Sequence, residues 1–177
     1  SAFFAERNRV DFYDDAADAL ARIAARYPIC ALSNGNADLA TIGIDQYFAH
    51  KITAREFGRG KPDASIFRHA CEQLGAAPAE VLHVGDDVEA DIVGAHRAGL
   101  MTCWLHRDDA RDKHPTWPKR EFVPSLTFPT LAALADWLDE PTAKARSYEA
   151  SRYVHGKVIV IRTDEGAYCL SGSPNAS

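Results

Sequence analysis

Residues 81–87 read Val81-Leu82-His83-Val84-Gly85-Asp86-Asp87, an apolar run that ends in a glycine and two acids. A short continuous run of this kind predicts a strand that is buried on both faces, as the strands of parallel sheets are. Ligands of such sheets bind at the carboxyl ends of the strands. Carboxylate oxygens suit Mg²⁺, which takes one or two carboxylates and keeps several waters. Asp86 and Asp87 are therefore candidate Mg²⁺ ligands; the alternative is that they and Asp91 cap and charge the first turn of a helix.

Helices and strands alternate on both sides of this stretch. Hydrophobic spacing predicts helices at 14–26, at 66–74 with Gly75 as the stop, at 89–98 and at 131–138, with further strands at 29–32 and 101–105. The proline-containing segment 106–128 is predicted to be a long surface loop. This alternation favours an α/β fold in which helices cover both faces of a parallel sheet.

Two loops add polar groups near the predicted strand ends. Ser33-Asn34-Gly35-Asn36 follows the first strand and offers a hydroxyl and backbone N–H groups that can hold a phosphate oxygen, although a plain Asn-Gly turn is the alternative. Gly58-Arg59-Gly60-Lys61-Pro62 places a lysine on a glycine-flanked loop. Its ammonium group could neutralise a phosphate and a nearby carboxylate, and an exposed lysine is the alternative.

Taken in order, the three stretches resemble the second, third and fourth motifs of the haloacid dehalogenase superfamily. The resemblance covers residues 1–139, and the motifs at 31–39, 60–63 and 82–87 are similar to the capped subgroup that includes flavin mononucleotide phosphatase-like enzymes. Residues 1–13 resemble the end of the helical cap and its linker, which leaves 14–139 as the core. The implied fold is a three-layer, Rossmann-like parallel sheet.

The resemblance also implies roles for five residues. Ser33 would hydrogen-bond the transferring phosphoryl group, and Asn34 would help to shape the phosphate site. Lys61 would stabilise the nucleophile and the phosphate, while Asp86 and Asp87 would hold Mg²⁺. The implied reaction is hydrolysis of a small phosphorylated metabolite, a phosphate monoester, through an aspartyl-phosphate.

The nucleophile of that family is one of two aspartates one residue apart, and no D-x-D pair occurs in the 177 residues. In the family, the strand that carries this pair lies centrally, between the strands that here end near Ser33 and Asp86. We therefore expect a sheet that lacks its first central strand, and a chain that is poorly active or inactive alone. An alternative is a permuted arrangement in which the apolar run at 158–161 fills the gap.

The C-terminal residues carry a separate pattern. An apolar run at 158–161, a turn around 164–166 and a second run at 167–170 predict a β-hairpin. His155-Gly156-Lys157 before it and Gly172-Ser173-Pro174-Asn175 after it resemble the H-x-K and G-S-x-N halves of a phospholipase D superfamily motif. That resemblance implies a catalytic His155 and phosphate-binding Lys157 and Asn175. The family needs two such motifs for one site, and one is present here.

These patterns divide the chain into four parts: the end of a cap (1–13), a partial core (14–139), a linker or junction (140–150) and a phospholipase D-like fragment (151–177). The preferred function is an Mg²⁺-dependent phosphatase. The alternatives are a phospholipase D-type phosphodiesterase or nuclease fragment, a catalytically silent phosphate-binding module, and an artificial junction near residues 140–150.

The charge, the cysteines and the apolar segments of the chain limit the kinds of partner it is expected to have. A formal charge of −5 argues against binding to nucleic acid or membranes through bulk charge, so a nucleic-acid partner is expected only if the phospholipase D-like tail is functional. The four cysteines are far apart and form no zinc pattern. With no long apolar segment and no leader, the chain is expected to be a reduced, cytoplasmic protein without a membrane partner.

Overall fold

The computed structural model describes residues 13–35, 38–106, 117–119 and 121–139, and the backbone of two further strands at 157–163 and 166–172. Within these ranges, no helix has both the length and the apolar character that a membrane span requires. The predicted cap end at 1–12 and the predicted junction at 140–150 lie outside the described residues.

Short strands and helices alternate through the described part of the chain. The strands are β1 (Cys30–Ser33), β2 (His50–Thr53), β3 (Leu82–Gly85), β4 (Met101–Leu105), β5 (Leu126–Phe128), β6 (Lys157–Thr163) and β7 (Gly166–Gly172). The α-helices are α1 (Ala16–Ala24), α2 (Leu39–Ile42), α3 (Ala54–Phe57), α4 (Ala64–Leu74), α5 (Gly94–Ala98) and α6 (Leu131–Asp139). Single 3₁₀ turns occur at Asp45–Tyr47 and Pro78–Glu80, and a π-helical segment, Val88–Val93, runs directly into α5.

The parallel strands form two groups rather than one continuous sheet. β1 pairs with β2, and β3 pairs with β4, which in turn pairs with β5, all in parallel. No ladder joins β1 to β3 among the described strands. The predicted C-terminal hairpin is confirmed, because β6 and β7 pair in antiparallel fashion. Its backbone lies in the same region, with β7 near β1 and β6 near β3.

Two hydrophobic clusters lie on opposite faces of the strands, because successive strand residues point to opposite sides. One cluster joins α1 and α6 to residues such as Leu82 and Val84 of β3. The other joins α4 and α5 to residues such as Cys30 and Leu32 of β1. The arrangement of helices, strands and helices confirms the predicted three-layer α/β architecture.

One prediction for local structure was wrong, and one predicted helix is present but begins in a different helical form. The segment predicted as a surface loop at 106–128 includes strand β5, which pairs with β4 through Cys103 and Leu126. The helix predicted at 89–98 begins one residue earlier as a π-helix and becomes α-helical only at Gly94. The carbonyl of Asp87 accepts from both Asp91 N and Ile92 N, at 3.0 and 3.2 Å, and this shared contact accommodates the wider turn.

Candidate active site

The loop after β1 and the loop that carries Lys61 are joined by a pair of hydrogen bonds. The side-chain Nδ2 of Asn34 donates to the carbonyl of Lys61 at 2.8 Å, and the backbone N–H of Lys61 donates to Asn34 Oδ1 at 2.7 Å. An added Cβ on Gly60 would lie 2.7 Å from Asn34 Oδ1, so the close approach requires glycine there. The two predicted phosphate-binding loops are therefore neighbours in space.

The Lys61 side chain is buried and forms an ion pair. Its Nζ lies 2.8 Å from Asp91 Oδ1, and the exposed fractions of the two side chains are 1% and 0%. A buried charge requires a partner, and removal of one partner of such a pair is strongly destabilising. The alternative that Lys61 is an ordinary exposed surface lysine is therefore excluded. Lys61 lies on the loop and Asp91 in the π-helix, 30 residues apart in sequence.

Asp91 accepts hydrogen bonds from three directions. Besides Lys61, Oδ1 lies 3.1 Å from Nε2 of His83, and Oδ2 accepts from the backbone N–H of Asp87 at 3.1 Å. Burial by itself would raise the pKa of the Asp91 carboxyl group, but the charge of Lys61 and the hydrogen bonds from His83 and Lys61 outweigh burial. The pKa of Asp91 is therefore held well below its usual range, and the carboxylate stays charged.

Gly85 at the end of β3 makes room for this carboxylate. A Cβ built on Gly85 would lie 2.4 Å from Asp91 Cγ, a separation that real Cβ atoms do not show. His83 lies two residues earlier on the same strand and so points to the same face. The glycine leaves the space in which the carboxylate meets the imidazole ring.

His83 is fully buried, and its ring contacts the ring of Phe67 edge to face, with 4.9 Å between the centroids. Burial lowers the pKa of His83 from its ordinary 6.5 to about 4, although the hydrogen bond and the charge of Asp91 act in the opposite direction. The ring is therefore neutral at neutral pH.

The two predicted metal ligands follow β3 directly. Asp87 Oδ1 accepts from the backbone N–H groups of Glu89 and Ala90, at 2.9 and 2.7 Å, so the alternative role as a helix N-cap is present for this residue. The backbone carbonyl of Asp86 accepts from the indole N–H of Trp104 at 3.1 Å. Within the described ranges, no group of three or more His, Cys, Asp or Glu side chains could hold a metal ion. Two adjacent carboxylates fit Mg²⁺, which commonly takes only one or two from the protein.

Ser33 is buried at the end of β1, and its Oγ accepts from the backbone N–H of Gly35 at 2.9 Å. It lies on the wall of an open cavity of about 680 Å³ that is lined by residues of β1, of β2 and of the segments that follow them. The other lining residues are Ala31, Asp38, Leu39, Asp45, Lys51, Ile52, Thr53, Arg55 and Glu56. Space for a ligand is therefore present beside the predicted phosphate-binding hydroxyl.

Comparison with known proteins identifies the family to which the chain belongs. A family model described as haloacid dehalogenase-like hydrolase matches residues 2–99, which contain Ser33, Lys61 and Asp86. The chain belongs to the haloacid dehalogenase-like hydrolase family. The family expected from the three ordered motifs is thus confirmed.

Relatives of this haloacid dehalogenase-like hydrolase include phosphatases and dehalogenases. It is 37% identical to 5-amino-6-(5-phospho-D-ribitylamino)uracil phosphatase YigB of Escherichia coli, over 72% of this chain and 53% of that protein. The structure of a 2-haloacid dehalogenase from Pseudomonas syringae superimposes with a TM-score of 0.67, 28% identity and coverage of 77% of this chain and 56% of that one. The hydrolase YfnB of Bacillus subtilis, solved bound to magnesium, has a TM-score of 0.61, 27% identity and coverage of 72% and 56%. The chain thus spans about half the length of these relatives.

The predicted site residues fall into two sets. The structure places Ser33 at the end of β1, Asn34 directly after it, Asp86 and Asp87 directly after β3, and Lys61 in the loop joined to Asn34. In the tail, His155 and Asn175 lie outside the described residues, and only the backbone of Lys157 is described. The sequence interpretation missed His83 and treated Asp91 only as one more first-turn acid. A histidine inside an otherwise apolar strand, two residues before a glycine, is the signal that could have identified the His83 contact.

Proposed function

We propose that this hydrolase is the core of an Mg²⁺-dependent phosphatase of the capped, flavin mononucleotide phosphatase-like subgroup. It hydrolyses a small phosphate monoester through an aspartyl-phosphate. The observation that supports the proposal best is the buried Lys61–Asp91 ion pair, because it holds an ammonium group beside the ends of the strands where ligands of α/β sheets bind. Similarity to a phosphatase of Escherichia coli supports the same reaction class.

Each proposed residue has a chemical task. An ammonium group carries three N–H donors, and Asp91 uses one of those of Lys61. The proposal assigns the others to the phosphoryl oxygens and to the nucleophile. Ser33 donates its hydroxyl hydrogen to the phosphoryl group, since its oxygen already accepts from Gly35. Asn34 positions Lys61 through the backbone.

Asp86 and Asp87 are the residues proposed to hold Mg²⁺. When bound, the ion would balance the negative charge of the phosphate and of the attacking carboxylate. The hydrogen bond from Trp104 fixes the backbone of Asp86 at the end of β3. The magnesium-bound relative from Bacillus subtilis supports this cofactor.

The nucleophilic aspartate of this proposal is not among the 177 residues, since they contain no D-x-D pair. The aspartate would come from a strand between β1 and β3, in the place that the β6–β7 hairpin takes in this structure. We therefore expect these residues alone to release little or no phosphate, and the parent protein to be active in the cytoplasm.

The test compares two proteins, the 177-residue chain and the same chain preceded by its natural upstream coding sequence. We expect the longer protein alone to release phosphate from p-nitrophenyl phosphate, with loss of activity after Lys61→Met and after chelation of Mg²⁺. Arg68→Met, at an exposed cation of α4 that does not line the cavity, serves as the control and keeps the activity. A longer protein that releases chloride from 2-chloropropionate but no phosphate, or an upstream sequence without D-x-D, would refute the proposal.

The hairpin favours a second candidate, a phospholipase D-type phosphodiesterase fragment. Lys157 pairs with Gly172 in the β6–β7 register, which brings together the one residue of each half of the motif that the structure describes. This candidate predicts metal-independent cleavage of bis(p-nitrophenyl) phosphate that is abolished by His155→Ala. Cleavage that persists in this variant excludes it.

A further inference from the structure

We infer that His83 is a positioning residue: a neutral hydrogen-bond donor that orients the Asp91 carboxylate and thereby holds the ammonium group of Lys61 in place. The inference rests on the proposed function in one respect, namely that Lys61 binds a phosphoryl group. The contacts of His83 and Asp91 do not depend on that role. A single oxygen, Asp91 Oδ1, lies 2.8 Å from Lys61 Nζ and 3.1 Å from His83 Nε2.

The tautomer of His83 follows from its partner. The Asp91 carboxylate is charged and can only accept hydrogen bonds, so the imidazole must carry its hydrogen on Nε2. The other ring nitrogen, Nδ1, is buried and has no hydrogen-bond partner in the part of the chain that the structure describes. Leaving Nδ1 buried without a partner costs free energy. Nδ1 nevertheless stays unprotonated, because the single ring hydrogen is then on Nε2, where it is donated to Asp91. The Asp91 contact therefore determines the protonated position of the ring.

A neutral donor suits this place better than a second cation. Lys61 and Asp91 already form a charge-balanced pair in a buried site. A protonated His83 would add an unbalanced charge, whereas the neutral ring adds a hydrogen bond and leaves the pair balanced. The backbone N–H of Asp87 holds the opposite carboxylate oxygen. Together, His83 and Asp87 fix the plane of the carboxylate, so that Oδ1 faces the ammonium group.

A purely structural role for His83 is the competing explanation, because the ring also packs against Phe67. Two substitutions separate packing from donation. His83→Gln retains an N–H donor at about the position of Nε2, and His83→Leu has a comparable volume without a donor. Val84→Ala is the control for general loss of stability, since Val84 is buried on the opposite face of β3.

The experiment measures acylation of the Lys61 amine by acetic anhydride, read by mass spectrometry of peptides, in the full 177-residue chain. With His83→Leu we expect acylation at least about tenfold faster, the lower end of what one hydrogen bond to a charged group contributes, and with His83→Gln a rate within about threefold of the original. The acylation rate of each His83 variant is compared with that of Val84→Ala under conditions in which the two have the same free energy of unfolding. If His83→Leu reacts no faster than Val84→Ala, or if His83→Gln reacts as fast as His83→Leu, His83 is only a packing residue.

A second measurement is made on the unmodified chain, by ¹⁵N spectroscopy at pH 7. The signals of the His83 ring are those absent from the spectrum of His83→Gln. If that variant does not fold, selective labelling identifies them instead. We expect hydrogen on Nε2 and none on Nδ1. Hydrogen on Nδ1, or on both nitrogens, overturns the inference. Neither measurement involves turnover, so failure of the phosphatase proposal would appear separately, as absent phosphate release with these results intact.

Discussion

Replacement of Asp91 by asparagine should destabilise the chain far more than the same replacement at a surface ion pair. The asparagine retains the shape of the side chain but leaves the Lys61 ammonium group buried without a counter-charge, since both side chains are essentially inaccessible to solvent. Loss of one partner of a buried pair costs about 3–5 kcal/mol. Asp136→Asn is the control, because Asp136 is 67% exposed in its pair with Arg22 and exposed pairs contribute at most about 1 kcal/mol.

Urea unfolding at pH 7, followed by circular dichroism, measures the free energy of unfolding of each protein. The double variant Lys61→Met with Asp91→Asn should cost less than the sum of the two single variants, by about 1–3 kcal/mol, because it leaves no unpaired charge. If Asp91→Asn alone is unfolded, the double variant should regain the folded state. A cost below about 1 kcal/mol for Asp91→Asn, or additive single costs, would refute the buried ion pair.

Three further outcomes are expected from urea unfolding. Gly85→Ala should cost at least about 1–3 kcal/mol, because its Cβ would displace the Asp91 carboxylate, and a cost near zero would contradict the close packing. His83 takes up its proton near pH 6.5 in the unfolded chain but only near pH 4 in the folded chain. The free energy of unfolding should therefore fall by up to about 3 kcal/mol as the pH is lowered from 6.5 to 4. His83→Gln should flatten this dependence, which parallel pH series would test. Trp104→Phe should lower the free energy of unfolding by about 0.5–1.5 kcal/mol through the lost hydrogen bond to Asp86, and an unchanged midpoint would show that this bond contributes nothing.

Helix α4 was predictable from sequence because its signals are local. Its apolar stripe packs into the second cluster, Asp63 caps its first turn by accepting from Ser65 N, and Gly75 ends it in the left-handed conformation with φ 63°. Each of these features depends on residues within one helical length. The strands β1, β3 and β4 were predictable for a similar reason, since burial on both faces leaves a continuous apolar run.

Strands β2 and β5 were missed because their sequences carry little of the signal. In β2 only Ile52 is buried, and β5 has three residues, none of them fully buried. Their extended conformation comes from backbone pairing with β1 and β4, which lie elsewhere in the chain. Tertiary pairing of this kind outweighs local preference, and periodicity cannot register it.

The site was predictable as a set of loops but not as a network. Strand ends and motif order located Ser33, Lys61 and Asp86. The contact between Lys61 and Asp91 spans 30 residues, and nothing in the spacing indicates which acid pairs with the lysine. His83 stands in an apolar run, where its polarity looked incidental. Only the packing of β3 against α4 and the π-helix shows that its ring meets a carboxylate.

The paired hydrogen bonds between Asn34 and Lys61 hold one loop by its backbone, whatever side chain it carries at position 61. Asn34 contacts the backbone N–H and the backbone C=O of residue 61, and not the ammonium group. An engineer could therefore exchange the side chain at this position, provided that Asp91 is changed with it, while the backbone of the loop stays joined to Asn34. In such a scaffold the asparagine holds the backbone in place, and the side chain at position 61 can be varied.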